Sequence, residues 1–292
     1  MRMESPPALE PQAVRLDADG VQLAGERLAA ADPLAPTLLF THGLGQTGAA
    51  WRSSALKLAA AGWSTLALDA RGHGDSGRNP PGLAYSPELL VDDLRRWAAT
   101  LARPPVLVGA SMGGLTGMVA QALHRPFAAL VLVDITPRWE PEGVARILAF
   151  MRAHGDGFDS VEQAIDAIAA FLPHRPRKQA GALSSLLARD PDGRLRWHWD
   201  PRLLDDMNTD LERRQQALAD AAARIDVPTL LLTGSASDVV SDATIDEFLA
   251  LVPHAEHRRI ADARHLVAGD DNDAFAAAVI GFLDTLTLRP AA

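Results

Sequence analysis

The sequence has no cysteine in 292 residues. That excludes disulfides, thiolate metal sites and cysteine nucleophiles. Lysine is almost missing: Lys57 and Lys178 stand alone, and arginine carries the positive charge. The formal net charge is −9, and the basic residues are spread along the chain, which argues against a nucleic-acid partner. No apolar run reaches the length of a membrane span. The polar start, Met1 to Gln12 with Pro6, Pro7 and Pro11, lacks the apolar core of a secretory signal. The expectation is a cytoplasmic protein without a membrane partner. Metal chemistry is not expected either. His42 and His73 lack a helical His-x-x-x-His spacing and a third ligand, and Gly72-His73-Gly74 is not a phosphate loop, because no Gly-Lys-Ser follows.

What is present is a large apolar fraction, 48%, ample for a sizeable core. Short β-branched runs alternate with helical patterns. Val14–Leu16 and Val21–Leu23 flank Asp17-Ala18-Asp19-Gly20, a tight-turn sequence. Strands are predicted at Pro36–Phe40, Thr65–Leu68, Val106–Gly109, Leu130–Val133, Val227–Gly234 and near Arg258–Ile260. Helices are predicted with Trp51, Leu56 and Leu58, from Ser86 and Pro87 as cap and first residue, from Met112 to His124, from Ser241 to Val252, and at the end with Phe275, Val279 and Phe282 on one stripe. Strand–helix alternation implies a parallel sheet with right-handed crossovers. The alternation stops at Pro137. From Arg138 to Asp226 only helical patterns are evident, among them Gln179–Leu187, so the segment reads as an all-helical insertion. The organisation is a core in two parts, 1–137 and 227–292, with a cap over 138–226.

Chemistry concentrates at Gly109-Ala110-Ser111-Met112-Gly113-Gly114. An apolar strand ending in Gly-x-Ser-x-Gly before a helix is the layout of a nucleophile elbow. A serine hydroxyl needs a base, and the base needs an anionic orienter. Among nine histidines, His265 stands after the last short strand and before the last helix. Asp238, after the preceding strand, is the expected acid; Asp134, which also ends a strand, is the rival, with a loop-bracing role as its simpler reading. The order Ser111, Asp238, His265 suits one hydrolase class. His42-Gly43-Leu44-Gly45 offers a second oxyanion donor, so the Leu44 and Met112 amides form the expected oxyanion hole. His42 reads as structural, and Asp69 with Arg71 as an internal salt bridge.

Together these pieces resemble the α/β-hydrolase superfamily over nearly the whole chain. The matching residues are His42-Gly43, Asp69-Ala70-Arg71-Gly72-His73-Gly74-Asp75-Ser76, Gly109 to Gly114, Val133-Asp134-Ile135-Thr136-Pro137, Ser237 to Ser241, and His265. The resemblance implies a mostly parallel eight-stranded α/β sheet flanked by helices, with a helical cap after the sixth strand. It implies Ser111 as nucleophile, His265 as base, Asp238 as orienter, and Leu44 and Met112 as oxyanion donors. The sequence departs from the pattern twice. Arg264 stands where relatives have glycine, and Asp238 comes one residue late after Gly234, which keeps Asp134 in play. Serine at 111 disfavours epoxide hydrolases and haloalkane dehalogenases, which need an alkylatable carboxylate there. The expected activity is carboxylic ester hydrolysis without a cofactor, on a small molecule with an apolar group. Leu44, Met112, Trp139, Trp197 and Trp199 are the expected pocket walls. A carbon–carbon bond hydrolase, an enol-lactonase and a perhydrolase share the same triad, and a non-catalytic binding protein on this fold is the alternative outside enzymes.

Overall fold

The hairpin expected around Asp19-Gly20 is β1 (Gln12–Ala18) and β2 (Val21–Leu28). Asp19 and Gly20 both take positive φ, 56° and 84°, as a two-residue turn matching the strand twist requires. The computed structural model describes residues 10–30, 32, 36–173, 177, 180–183, 186–206, 211–261, 263 and 272–286. After the hairpin come β3 (Thr37–Thr41), α1 (Arg52–Ala60), β4 (Ser64–Asp69), α2 (Pro87–Ala99), β5 (Val106–Ala110), α3 (Met112–His124) and β6 (Ala129–Val133). The Ser86 hydroxyl caps α2 by accepting the Leu89 N–H, with proline in the first turn.

The insertion follows: α4 (Pro141–Ala153), α5 (Val161–Phe171), β7 (Leu187–Arg189), β8 (Leu195–Trp197), α6 (Arg202–Asp206) and α7 (Leu211–Ala222). The core resumes with β9 (Thr229–Gly234), α8 (Asp242–Leu251), β10 (Glu256–Ile260) and α9 (Asn272–Leu283). The main sheet has eight strands in the order β1-β2-β4-β3-β5-β6-β9-β10. The β1–β2 and β2–β4 pairs are antiparallel and the others parallel.

The inner strands β3, β4, β5, β6 and β9 are buried on both faces, so they lack a polar side, whereas β1, β2 and β10 are partly exposed and carry polar residues. Leu39, Leu107, Leu132 and Leu231 face one way, into a core shared with Leu94 of α2, Met118 of α3 and Phe248 of α8. Phe40, Val108, Val131 and Leu232 face the other way, onto Leu58 of α1 and Phe275 and Phe282 of α9. Each such side chain contributes about 1.5–3 kcal/mol by leaving water.

Two expectations about the insertion are corrected. It is not all-helical: β7 and β8 form an antiparallel hairpin. The cause is the turn Asp190-Pro191-Asp192-Gly193, where Gly193 takes φ 84° and the Asp190 N–H donates to the Arg194 carbonyl at 2.9 Å. The sequence Pro-Asp-Gly favours that reversal. Where a helix is expected over 179–187, the described residues form a short 3-10 turn, Ala180–Leu183, and the start of β7 at Leu187. Ala222 at the end of α7, followed by Ile225, packs into the core beside α3 rather than into the cap cluster. The cap has its own cluster, with Met151, Phe158, Ile165, Trp197 and Leu203. No helix among the described residues is long and apolar enough to cross a membrane.

Candidate active site

Strand β5 lies between β3 and β6, with Gly109 paired to Thr41 on one side and to Leu132 on the other. The chain then turns sharply. Ser111 takes φ 47° and ψ −119°, a conformation costly for a residue with a side chain. Its N–H donates to the Val133 carbonyl at 3.3 Å, and α3 starts at the next residue. The turn is possible because Gly109 and Gly113 carry no Cβ. A Cβ on Gly109 would sit 2.8 Å from the Gly114 Cα, and one on Gly113 2.7 Å from the Thr41 carbonyl oxygen.

The loop after β3 passes beside this serine. A Cβ on Gly43 would lie 3.2 Å from the Ser111 Cβ. Among the described residues, the N–H groups of Leu44 and Met112 donate to no protein acceptor. The Met112 amide also opens α3, where the helix dipole favours negative charge. His42 is fully buried. Its Nε2 accepts the Ala70 N–H at 2.9 Å, so Nδ1 carries the proton and donates to the Gly43 carbonyl at 2.8 Å. Burial holds this imidazole below its ordinary pKa, outweighing its carbonyl contact and nearby Asp69.

The two acid candidates have different surroundings. Asp134 follows β6 directly, takes φ 49° and is fully buried. Its Oδ1 accepts the Gly234 N–H at 2.9 Å and its Oδ2 the Ser237 hydroxyl at 2.5 Å. Asp238 faces the cap instead. Its Oδ2 accepts from the Arg146 guanidinium on α4, at 3.0 Å from Nε and closer still from the terminal nitrogen. Arg146 also lies over the Phe171 ring, so this carboxylate is tied to the cap. His265 and its neighbour Arg264 lie outside the described residues. Ala263, just before them, accepts the Ala236 N–H at 2.9 Å, which brings the exit of β10 beside the turn carrying Ser237.

The tryptophans separate. Trp197 packs against Phe158 and Phe150 and donates from Nε1 to the His154 carbonyl at 3.0 Å, as a member of the cap core. Trp139 packs against the α3-side core. Trp199 pairs as an isolated bridge with His73 and lies against the Leu44–Gly45 turn, 3.7 Å from where a Gly45 Cβ would be. Leu44 packs on the cap cluster, and Met112 is buried.

The expected Asp69–Arg71 salt bridge is corrected. Asp69 is engaged by backbone donors, the N–H groups of Gly48 at 2.7 Å and Asp75 at 2.8 Å. Arg71 instead reaches Asp93 on α2 with two bonds, 2.7 and 2.8 Å, and both side chains are buried. Sequence reasoning missed Asp93, although an aspartate on the apolar stripe of α2 marks a buried charge needing a partner.

The strained serine thus stands at a strand-to-helix turn of a mostly parallel sheet, close to the loop after β3. The chain belongs to the alpha/beta hydrolase family, whose model matches residues 38–278. It is similar to the mouse sn-1-specific diacylglycerol lipase ABHD11, 30% identical over 272 residues, covering 86% of this chain and 82% of that one. It is also similar to epoxide hydrolase A of Mycobacterium tuberculosis, 26% identical, covering 94% of this chain and 98% of the other. The crystal structure of E-2-(acetamidomethylene)succinate hydrolase superposes with a TM-score of 0.81 at 25% identity, covering 94% of this chain and all of that one.

Proposed function

We propose that this hydrolase cleaves carboxylic esters through an acyl-enzyme on Ser111. The observation that supports this is the Ser111 backbone, φ 47° and ψ −119°, at a turn that the Gly43 backbone approaches closely and where the Leu44 and Met112 amides meet no acceptor among the described residues. Ser111 attacks the ester carbonyl while His265 takes its proton. The carbonyl oxygen becomes an oxyanion between the two amides, the interaction that lowers the barrier most. His265 returns the proton to the leaving alcohol. A water deprotonated by His265 then releases the acid and restores Ser111. The serine at position 111 supports this over epoxide opening, which needs a carboxylate nucleophile there, although an epoxide hydrolase is among the relatives. The apolar Leu44 and Met112 beside the serine suit a substrate with an apolar acyl or alcohol group, in keeping with a lipase among the relatives.

For the carboxylate that orients His265, support divides between two residues. Asp238 has the chain order of the commonest arrangement. Asp134 has the better surroundings: full burial, with the Gly234 N–H donating to one oxygen and the Ser237 hydroxyl to the other. Asp238 is neutralised by Arg146 and half exposed. Asp134 is therefore our assignment for the acid, with Asp238 joining the cap to the core.

A panel of short and long nitrophenyl esters, lactones, epoxides and vinylogous diketones tests the reaction class. Turnover is expected on the esters and lost in Ser111→Ala. Activity confined to epoxides or diketones, or ester turnover surviving Ser111→Ala, contradicts the proposal.

A further inference from the structure

The two peptides on either side of the Leu44 Cα are each held by a buried imidazole, the Gly43–Leu44 peptide by His42 and the Leu44–Gly45 peptide by His73. The Gly43 carbonyl accepts two donors, the His42 Nδ1–H at 2.8 Å and the Gln46 N–H at 3.1 Å. In a trans peptide the C=O and N–H point in opposite directions. Fixing the Gly43 oxygen therefore aims the Leu44 N–H the other way, and a flip of this peptide breaks both bonds. The next peptide is held by His73. Its Nε2 accepts the Gly45 N–H at 3.1 Å, while Nδ1 lies 3.2 Å from the Arg71 carbonyl. His73 is fully buried, and its ring meets that of His42 edge to face at 4.9 Å.

The loop after β4 that carries His73 is seated by the cap. The His198 carbonyl accepts the Gly74 N–H at 2.8 Å, and the Asp200 N–H donates to the Gly72 carbonyl at 2.8 Å. Tyr85 Oη then donates to the buried Asp200 at 2.8 Å. His73 is thus clamped on both sides by cap segment 198–200. An imidazole fixed this firmly, with one nitrogen on a carbonyl and the other accepting an N–H, is restricted to the neutral Nδ1–H form.

We infer that His73, together with His42, is a positioning residue for the oxyanion site: the pair holds the Gly43–Leu44–Gly45 backbone so that the Leu44 amide stays aimed at the space beside Ser111. This rests on the ester-hydrolase reading, since it concerns the amide that reading uses. Neither ring touches the reacting atoms. Burial keeps both imidazoles neutral at ordinary pH, His73 down to about 3, which preserves the acceptor that Gly45 needs.

The test compares wild type, His73→Leu and His73→Gln. Leucine fills the space without an acceptor; glutamine restores an acceptor oxygen near the Nε2 position. With a nitrophenyl acetate, His73→Leu is expected to lower kcat by about 30-fold or more with KM within about threefold, since a lost oxyanion donor costs on the order of 100-fold or more. His73→Gln recovers most of that loss. Exchange of the Gly45 amide is read in parallel: faster in His73→Leu and slowed again in His73→Gln. Nitrogen NMR of wild-type His73 at pH 7 is expected to find Nδ1 protonated and Nε2 bare, a readout that survives if the leucine variant does not fold. A wild type that turns over esters and is unaffected by His73→Leu overturns the inference, as does a protonated Nε2. A wild type without ester turnover, but with Gly45 exchange governed by residue 73, overturns the ester reading alone.

Discussion

Ser237 donates its hydroxyl to Asp134 at 2.5 Å, and this bond ties the end of β6 to the turn after β9. The same hydroxyl oxygen accepts the N–H groups of Val239 and Val240. The turn is thus folded around a carboxylate that precedes it by about a hundred residues. Its next described contact leads to Ala263 and the exit of β10.

If Asp134 is the orienting acid, Asp134→Asn lowers kcat by about 10³-fold or more, because an amide in that position favours the wrong imidazole tautomer. Asp238→Asn is expected to change kcat less than about tenfold, the cost of loosening cap packing without disturbing the base. Steady-state kinetics on one nitrophenyl ester decides between them. The reverse pattern assigns the role to Asp238.

The Arg146–Asp238 pair is partly exposed. Its coupling in a double-mutant cycle, measured by urea unfolding of Arg146→Gln, Asp238→Asn and the double variant, is expected at about 0.2–1 kcal/mol. A coupling several times larger would mean that the cap contributes to core stability through this pair.

The Arg71–Asp93 pair is buried, with Arg71 further bonded to Asn79 at 3.0 Å. Removing one partner strands a charge. Arg71→Met or Asp93→Asn alone is expected to cost about 3–5 kcal/mol in urea unfolding, and the double replacement by apolar residues to recover much of it. Equal, additive losses would contradict this.

Acid sensitivity follows from the buried imidazoles. His73 is held down to about 3, by burial first and by neighbouring His42 second. An unfolded histidine takes its proton near pH 6.5. Between about pH 6.5 and 3 the unfolded chain therefore binds the extra proton, and stability falls as the pH falls, by up to about 1.4 kcal/mol per pH unit for this residue. Urea midpoints of wild type and His73→Gln at pH 7, 6 and 5 check it. The variant is expected to show the shallower decline; parallel declines contradict the assignment.

Much of the sheet was legible because β4, β6 and β9 are short apolar runs closed by aspartate or glycine, and because Ser86-Pro87 and Ser241 announce helix starts. The elbow was legible for the same reason: Gly109 and Gly113 are demanded by close approach. The cap hairpin was hidden because β7 and β8 are three residues each, too short for a period, and only Pro191-Asp192-Gly193 betrays them. The partners of Arg71 and Asp238 were hidden for another reason. They lie 22 and 92 positions away, and charge pairing across such separations depends on how α2 and α4 are rotated. Trp139 and Trp197 look like pocket walls in sequence, yet packing claims both. Trp199 lies against the Leu44–Gly45 turn.

The central claim is that Ser111 is the nucleophile. Intact-mass analysis after reaction with a fluorophosphonate tests it directly. One phosphonyl adduct is expected on wild type, mapped by peptide sequencing to Ser111, and none on Ser111→Ala that folds with the wild-type melting temperature. An unlabelled wild type, or an adduct that persists in Ser111→Ala, contradicts the account.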